Sequence, residues 1–266
     1  MSWESTVSYY RAINEGVKRV MGGLHSAQII MYSVDFEPVE KRQHAGDWEG
    51  AAKILAEAAR KVESAGADFL LICTNTMHKV AADIENSIHI PLLHIADAIA
   101  ETLKEKGVGT VGLLGTAFTM EQAFYKGRLN ERYGLEVIVP NEDDRRIIHR
   151  VIYDELCMGK VLAESKTEYL RIIDQLASEG AEAVILGCTE IGMLVNQADT
   201  TVKLYDTTAI HAERAVEYAI SQARIASITN VVLSVLPAAV LVLQVACYDK
   251  CPINFKVSYS GKDHRP

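Results

Sequence analysis

Positive charge is scarce in this sequence. Its 266 residues include 27 Lys and Arg against 35 Asp and Glu, which gives a formal net charge of −8. The longest basic clusters, at residues 41–42 and 143–146, are short, and the second is half acidic. Proteins that bind nucleic acid need a basic patch to contact phosphates, so the composition argues against a nucleic-acid partner.

Cysteine is also sparse, and it is not arranged in pairs. The five cysteines are widely spaced and form no CxxC motif, which argues against a disulfide framework. The first residues, MSWEST, are polar and give no signal-peptide pattern. We therefore predict a cytoplasmic, reducing environment in which the cysteines are thiols. His78, His89 and His94 lack the spacing of a metal site, so no metal is expected.

Apolar residues are plentiful, at 49% of the chain, so a sizeable core can form. Short apolar runs alternate with amphipathic stretches. The pattern predicts strands at residues 28–34, 68–73, 92–95, 108–114, 135–139, 183–186 and 202–205. It predicts helices at residues 4–20, 48–63, 77–85, 96–106, 119–133, 142–158, 165–179 and 208–225. Such alternation is typical of an α/β fold with a mostly parallel sheet flanked by helices.

An internal repeat divides the chain into similar halves. The motif GAD at residues 66–68 leads through an apolar run to Cys73, and GAE at residues 180–182 leads through another to Cys188. The repeat predicts two similar α/β lobes, residues 1–107 and 108–207, with the active site between them. We expect the helix at 208–225 to pack back on the first lobe.

The repeat also exposes a gap in the first lobe. In the second lobe a strand at 108–114 precedes the first helix, whereas the first lobe opens directly on its helix. We expect the first lobe to lack its leading strand. Residues 226–266 form an apolar and then polar tail, in which the apolar run 231–247 contains Pro237. This run is interpreted as a packed or poorly ordered appendage, a membrane-associating helix or a replacement strand. Cys247 and Cys251 in this tail receive no role.

Two cysteines occupy matching positions in the halves. Cys73 and Cys188 each follow a predicted buried strand and precede a helix, and ligands collect at the carboxyl ends of strands in open α/β sheets. Two thiols on opposite sides of a cleft suit a racemase, in which one thiolate removes a Cα proton and the opposite thiol delivers one. Donors to the substrate carboxylate would then stabilise the carbanion without a pyridoxal-type cofactor. The candidate donors are Thr74, Asn75, Thr76 and Thr189.

With these motifs the sequence resembles the cofactor-independent aspartate/glutamate racemase family, and within it the broad-specificity amino-acid racemases. The matching segments are CTNTMH at 73–78, GCTEIG at 187–192 and MSWEST at 1–6. The resemblance implies two-base proton transfer by Cys73 and Cys188, a small amino-acid substrate, no cofactor and a homodimer. It implies substrate contacts from Thr74, Asn75, Thr76, Thr189 and Glu190, and also from Ser2 and Gln43.

The sequence departs from the family pattern at both ends and at one internal position. The family normally begins with a strand and a Gly-Gly turn before the Met-Ser found here, and no family counterpart is evident after residue 222. Strict aspartate racemases are similar around Cys157 but carry a lysine in its place. Selection of an acidic side chain would then need another cation, such as Arg42.

Other interpretations of single residues and of the whole chain stay open at this stage. Glu190 either holds a substrate ammonium or is a carboxylate at a helix start. His78 either orients a thiol or is a core or surface histidine. Alternative functions are a hydantoin racemase or maleate isomerase-type relative, or an inactive, truncated or membrane-tethered homologue. Membrane contact through residues 231–247 is not favoured.

Overall fold

Helices and strands alternate along the residues that the computed structural model describes, which are 2–228 and 239–244. The first elements are α1 (Trp3–Met21), β1 (Ile29–Ser33), α2 (Phe36–Ala45), α3 (Trp48–Ser64), β2 (Phe69–Ile72), α4 (Ala81–Glu85), β3 (Leu92–Leu93) and α5 (Ile95–Glu105). They are followed by β4 (Thr110–Gly115), α6 (Ala117–Glu121), α7 (Ala123–Tyr133), β5 (Glu136–Ile138), α8 (Glu142–Asp154), α9 (Ala163–Ser178), β6 (Ala183–Gly187), α10 (Ile191–Leu194), β7 (Lys203–Asp206), α11 (Thr207–Ile228) and β8 (Ala239–Gln244). Short 3-10 helices lie at Thr76–Val80, Leu156–Met158 and Gln197–Asp199.

The second lobe contains a parallel four-stranded sheet in the order β5-β4-β6-β7. Its central strands are buried because helices cover both faces of the sheet, and β6 is buried along its whole length. The two central strands approach closely at their carboxyl ends. A Cβ on Gly115 would lie 2.9 Å from the carbonyl oxygen of Gly187, so only glycine fits there.

The first lobe contains a second parallel sheet, in the order β1-β8-β2-β3. Its strand β8 comes from the far end of the described chain and lies between β1 and β2. Ala239 pairs with Ile29 on one side and with Phe69 on the other, and the next two residues continue both registers. Residues 239–244 therefore form a central strand of the first lobe.

The two sheets have equivalent strand orders, and this equivalence accounts for the predicted gap. When β1, β2 and β3 are matched with β5, β6 and β7, β8 takes the place that β4 holds in the second sheet. The two-lobed α/β fold is confirmed, and the replacement-strand interpretation holds for residues 239–244. The rest of the apolar run, with Cys247 and Cys251, lies outside the described residues. Among the residues that are described, no helix is long and apolar enough to cross a membrane.

The helix α11 packs against α1 and α5 of the first lobe. Tyr9, Ile13 and Val17 of α1 share a core cluster with Ala212 and Ala215 of α11. This crossing is close, since a Cβ on Gly16 would lie 2.9 Å from Cγ2 of Val216.

Several predicted helix boundaries were wrong in ways that matter for the site. The predicted helix 142–158 ends at Asp154, because Glu155 leaves helical geometry and a 3-10 turn follows, closed by Gly159 at φ 69°. The predicted helix 77–85 begins as a 3-10 helix, and the predicted helix 119–133 is broken at Gln122, whose backbone is extended. Helix α2 was missed, although its Asp35 cap and left-handed Gly46 are usual start and stop signals.

Candidate active site between the two lobes

The two predicted catalytic cysteines lie at equivalent strand ends. Cys73 directly follows β2 and Cys188 directly follows β6, and these two strands correspond to each other in the two sheets. The carboxyl ends of parallel strands are where α/β proteins place their ligands. Both cysteines therefore lie where the internal repeat predicted them.

Glu190 is the charged centre of this region. Its side chain is 1% exposed and accepts hydrogen bonds from Ser2 Oγ at 2.7 Å, Thr189 Oγ1 at 2.7 Å and Cys188 Sγ at 3.0 Å. Burial acts to raise the pKa of Glu190, but the positive charge of the N-terminus and then these three donors favour the carboxylate, so the pKa is lowered. Glu190 is therefore an ionised hydrogen-bond acceptor inside the protein.

The Ser2 hydroxyl binds this carboxylate and does not cap the helix that follows it. It stands at the N-cap of α1, where a serine hydroxyl ordinarily accepts a hydrogen bond from the backbone of the first helical turn, but no such bond is present. Its hydroxyl donates to Glu190 instead. This bond ties the start of α1 to the end of β6 in the other lobe.

The Cys188 thiol is held in its protonated form. Burial raises its pKa well above the ordinary thiol value, and the neighbouring Glu190 charge raises it further. Because the pKa of Glu190 is lowered at the same time, the proton of the 3.0 Å hydrogen bond stays on sulfur. Cys188 is therefore a neutral thiol that donates a hydrogen bond to a buried carboxylate.

Cys73 has a more closed environment. It is fully buried and belongs to the core cluster of Tyr9, Phe69 and Ala212. Burial raises the pKa of Cys73 well above the ordinary thiol value. The wall of the cavity beside it is formed by its neighbour Thr74 rather than by Cys73 itself.

A small cavity of about 20 Å³ lies between the lobes at these strand ends. This volume holds about one water molecule, so the structure is a closed form of the site. Its wall is formed by Phe36, Gln43, Thr74, Thr76, Thr116, Ile152, Tyr153, Cys157, Cys188 and Glu190. Five of the nine predicted site residues thus line the cavity: Gln43, Thr74, Thr76, Cys188 and Glu190.

Hydroxyl groups from both lobes meet at the cavity wall. Thr76 Oγ1 lies 3.0 Å from Thr116 Oγ1 and 3.4 Å from Thr119 Oγ1, and the last two oxygens are 3.2 Å apart. Thr116 was not among the predicted site residues. Its signal was its position directly after β4, which is a third strand end at the same edge.

Asn75 offers a hydrogen-bond acceptor that the described residues do not use. Its amide nitrogen donates to Thr207 Oγ1 at 3.0 Å, and Thr207 in turn donates to the carbonyl oxygen of Leu186. The amide oxygen of Asn75 is buried and has no hydrogen-bond partner within residues 2–228 and 239–244. An unpartnered buried oxygen is costly, so this atom is available to a donor on a ligand.

His78 is a buried residue that fixes the turn after Cys73. Its Nε2 accepts from the backbone of Ile95 at 3.2 Å, so its Nδ1 carries the proton and donates to the carbonyl oxygen of Thr74 at 2.8 Å. Burial lowers the pKa of His78 well below its ordinary value. His78 is thus a neutral core histidine that positions Thr74. No cluster of metal ligands occurs among the described residues.

Helix α2 brings Gln43 to the cavity but leaves Arg42 outside it. The Gln43 side-chain oxygen accepts from Tyr153 Oη at 3.2 Å, which joins α2 to α8 across the lobes. Arg42 forms an ion pair with Asp47 and is not part of the cavity wall. The cation that an acidic substrate side chain would need is therefore not supplied by Arg42 in this form.

Aromatic rings close the cleft near Tyr153, and none of them was predicted as a site residue. Phe118 packs edge to face against Trp48 at 5.3 Å between ring centroids and against His44 at 5.7 Å. His149 lies 4.8 Å from the Tyr153 ring. We call Trp48, His44, Phe118, His149 and Tyr153 the aromatic cluster; it joins α2 and α3 to α6 and α8.

Known proteins resemble this chain over most of its length. The family model for Asp/Glu/hydantoin racemases matches residues 1–215. A crystal structure from Yersinia pestis, provisionally described as an Asp/Glu racemase, is 54% identical and superposes with a TM-score of 0.77, covering 83% of this chain and 96% of that one. An aspartate racemase homologue from Pyrococcus horikoshii OT3 is 37% identical with a TM-score of 0.70, covering 81% and 93%.

A relative found by sequence comparison is also described as a racemase. The broad specificity amino-acid racemase of Bacillus subtilis (strain 168) is 24% identical over 172 residues, which are 64% of this chain and 73% of the relative. The family match and these structures agree with the two-lobed α/β fold. This chain belongs to the Asp/Glu/hydantoin racemase family.

Proposed function

We propose that this protein is an amino-acid racemase that works without a cofactor, by proton transfer between Cys73 and Cys188. The observation that carries the proposal is the Cys188 thiol, which donates to a buried carboxylate at one strand end while Cys73 occupies the equivalent strand end of the other lobe. Membership of the racemase family supports the same assignment.

In one direction of the proposed reaction, Cys73 as thiolate takes the Cα proton and Cys188 gives its proton to the opposite face of the carbon. The thiolate and the thiol have then exchanged roles, so protons and charge balance, and the reverse direction starts from the opposite enantiomer. Burial disfavours a Cys73 thiolate, but the ammonium group of a bound amino acid favours it. Substrate binding thus favours the thiolate form of Cys73, which is the base in this direction.

The carbanion formed in this step needs hydrogen-bond donors near the substrate carboxylate. The hydroxyl groups of Thr74, Thr76 and Thr116 lie in the cavity wall and can supply them. The unused amide oxygen of Asn75 can accept from the substrate ammonium. Thr189 and Ser2 act through Glu190, whose charge they hold in place.

Binding requires the closed form to open. A cavity of about 20 Å³ does not admit an amino acid, so the aromatic cluster must separate for substrate to enter. Closure afterwards would exclude water from the carbanion and strengthen its hydrogen bonds. The family also contains hydantoin racemases, so ring-closed substrates are the second candidate class.

The test is incorporation of deuterium at Cα in heavy water, followed by NMR for a panel of L- and D-amino acids and hydantoins. We expect racemisation of amino acids by the full-length chain. Cys73→Ala and Cys188→Ala should each lose about 10³-fold or more in racemisation rate, since a proton-transfer group is removed. Circular dichroism should show both variants folded.

The matched control is Cys251→Ala, which removes a thiol to which no role is assigned and should keep the full rate. Full racemisation by either catalytic-site variant would refute the two-base assignment. Exchange with hydantoins alone would instead identify the second candidate class.

A further inference from the structure

A second cavity, of about 440 Å³, lies between α5 and α11 on the first lobe, and no residue of its wall belongs to the strand-end cavity. Its wall includes His94, Ala98 and Glu101 from α5 and its N-cap, and Arg214 and Tyr218 from α11. A volume of this size is in the range of small-molecule sites. We call this cavity the α5–α11 pocket.

His94 contributes a hydrogen-bond donor without a protein partner. The residue is only 6% exposed, and its Nδ1 accepts from the backbone N–H of Ala96 at 3.1 Å. The ring is neutral, because burial lowers the pKa of His94 to about 2, so its proton lies on Nε2. This N–H forms no hydrogen bond with residues 2–228 and 239–244. A buried donor of this kind favours a ligand that brings an acceptor.

Glu101 contributes a carboxylate on the same face of α5. Residues seven apart in a helix lie on one face, about 10 Å apart along the axis, and Ala98 lies between His94 and Glu101 on that face. The other carboxylate that α5 offers to the pocket, Asp97, is held by Arg128 through two hydrogen bonds of 2.5 and 2.6 Å. Glu101 is exposed and forms no hydrogen bond or ion pair with the described part of the chain. It is therefore the carboxylate that a ligand can use.

The His94 end of the pocket favours a negative group on the ligand. Arg128 and Arg132 both pair with Asp97, at 2.5 and 3.8 Å, so two guanidinium groups share one carboxylate there. After burial, the charges of these two arginines are among the causes that lower the pKa of His94. An acceptor for the His94 N–H is therefore favoured when it is charged, as a carboxylate is.

The Glu101 end of the pocket favours a positive group. Arg214 donates to Glu105 at 2.6 Å and to Glu217 at 2.9 Å, so two carboxylates already share this cation. Glu101 adds a third, and Arg214 is the only Lys or Arg among the pocket-lining residues of the described chain. An ammonium group is therefore favoured at this end. The methyl group of Ala98 separates the two ends along α5 and suits a methylene chain.

We propose that the α5–α11 pocket is a second binding site, for an aliphatic amine that carries a carboxylate at the far end of its chain, as lysine does between its side-chain ammonium and its carboxyl group. The ammonium pairs with Glu101, the methylene chain lies on Ala98, and the carboxylate accepts from His94 Nε2. The pocket is separate from the strand-end cavity, so the inference does not depend on the proposed racemase function.

The probe is ε-aminocaproate, which has both charged groups at the ends of one methylene chain and has no α-amino group, so it is not a racemase substrate. Binding to the full chain is measured by isothermal titration calorimetry. We expect saturable binding, about 10-fold tighter than that of caproate, which lacks the ammonium, and of hexylamine, which lacks the carboxylate, since each control loses one charged hydrogen bond. A probe that does not bind, or that binds no more tightly than either control, would overturn the inference.

Variants of the two ends locate the probe in this pocket. Glu101→Gln should weaken its binding by about 10-fold, whereas Glu164→Gln, which removes an exposed carboxylate from α9 in the second lobe, should keep the wild-type affinity. His94→Asn keeps an N-cap acceptor for α5 but removes the ring N–H, and should also weaken binding by about 10-fold. Circular dichroism should show all three variants folded. Wild-type affinity in Glu101→Gln or in His94→Asn would show that the probe binds elsewhere and that the assigned site is wrong.

Discussion

Glu190 shows how one buried charge can govern the chemistry around it. Ser2, Cys188 and Thr189 all donate to its carboxylate, and the same charge raises the pKa of the Cys188 thiol. A carboxylate that accepts several hydrogen bonds holds its charge even when buried. The protonated form of Cys188 is therefore a consequence of burial first and of the Glu190 charge second.

Glu190→Gln should lower the pKa of Cys188, since a neutral amide of the same shape no longer opposes the thiolate. Racemisation should fall by about 10²-fold or more, because the hydrogen bond that holds the Cys188 proton loses its charged acceptor. The thiolate is measured by its ultraviolet absorbance against pH, as the difference from a Cys188→Ser background.

The conservative control for this prediction is Thr189→Ser, which keeps the hydroxyl that donates to Glu190. It should retain the wild-type inflection in the absorbance curve. If Glu190→Gln also retained that inflection, the carboxylate would not control the thiol.

At the residue scale, local pattern could identify the strand-end cysteines but not their surroundings. The repeat placed Cys73 and Cys188 after equivalent strands, and the adjacent motif gave Glu190. The burial of Cys73 within the cluster of Tyr9 and Ala212 depends on how α1 and α11 cross. Such long-range packing has no signal in a short motif.

Among the elements, β8 fills the gap that the internal repeat predicted in the first sheet, but the repeat did not indicate which segment of the chain fills it. Since the second lobe begins with β4, the repeat indicated an empty central position in the first sheet. The occupant comes from the other end of the chain, where the apolar sequence was compatible with a packed appendage, a membrane-associating helix or a replacement strand. The strand is favoured over the other structures because the backbone donors and acceptors of β1 and β2 need a hydrogen-bonded partner between them.

Val240→Pro should lower the free energy of unfolding by about 3 kcal/mol or more, since proline removes a backbone donor within a central strand. Val240 pairs with both Ile30 and Leu70. Chemical denaturation followed by circular dichroism measures the change. Val240→Ala, which keeps the backbone donor, should be clearly more stable than the proline variant; equal midpoints would mean that β8 is not essential to the sheet.

For the whole molecule, the lobes are held together at two places around the cavity. Threonine hydroxyls and the Ser2–Glu190 bond link the strand ends, and the aromatic cluster links the helices above them. A chain with 49% apolar residues was expected to bury a core, but the closed state of the cleft follows from side chains that lie far apart in sequence.

The first lobe and the helix α11 packed on it contain three buried histidines whose pKa values are lowered. His78, His94 and His211 are packed near one another, with 4.3 Å between the His78 and His94 ring centroids and 6.2 Å between those of His78 and His211. Burial lowers the pKa of His94 to about 2 and that of His211 to about 4. His211 forms two hydrogen bonds, from Nδ1 to Tyr9 Oη at 2.8 Å and from Nε2 to the carbonyl oxygen of Leu93 at 2.8 Å. These bonds connect α1, β3 and α11.

The pH dependence of stability follows from these lowered pKa values. The unfolded chain takes up a proton on each histidine below about pH 6.5, whereas the folded protein does not. The free energy of unfolding should therefore fall as the pH is lowered from 6.5, by about 1.4 kcal/mol per pH unit for each histidine that stays neutral. For His211 this loss continues until the pH reaches its folded pKa of about 4.

His211→Gln should flatten that slope by about 1.4 kcal/mol per pH unit between pH 6.5 and 4, because the amide does not titrate. It should also lower stability at neutral pH, since one ring nitrogen contact is lost. Urea denaturation across this pH range measures both effects. His89→Gln, which removes an exposed histidine, serves as the control substitution. An identical slope in His211→Gln and the wild-type protein would show that the buried histidines do not set the acid limit of this fold.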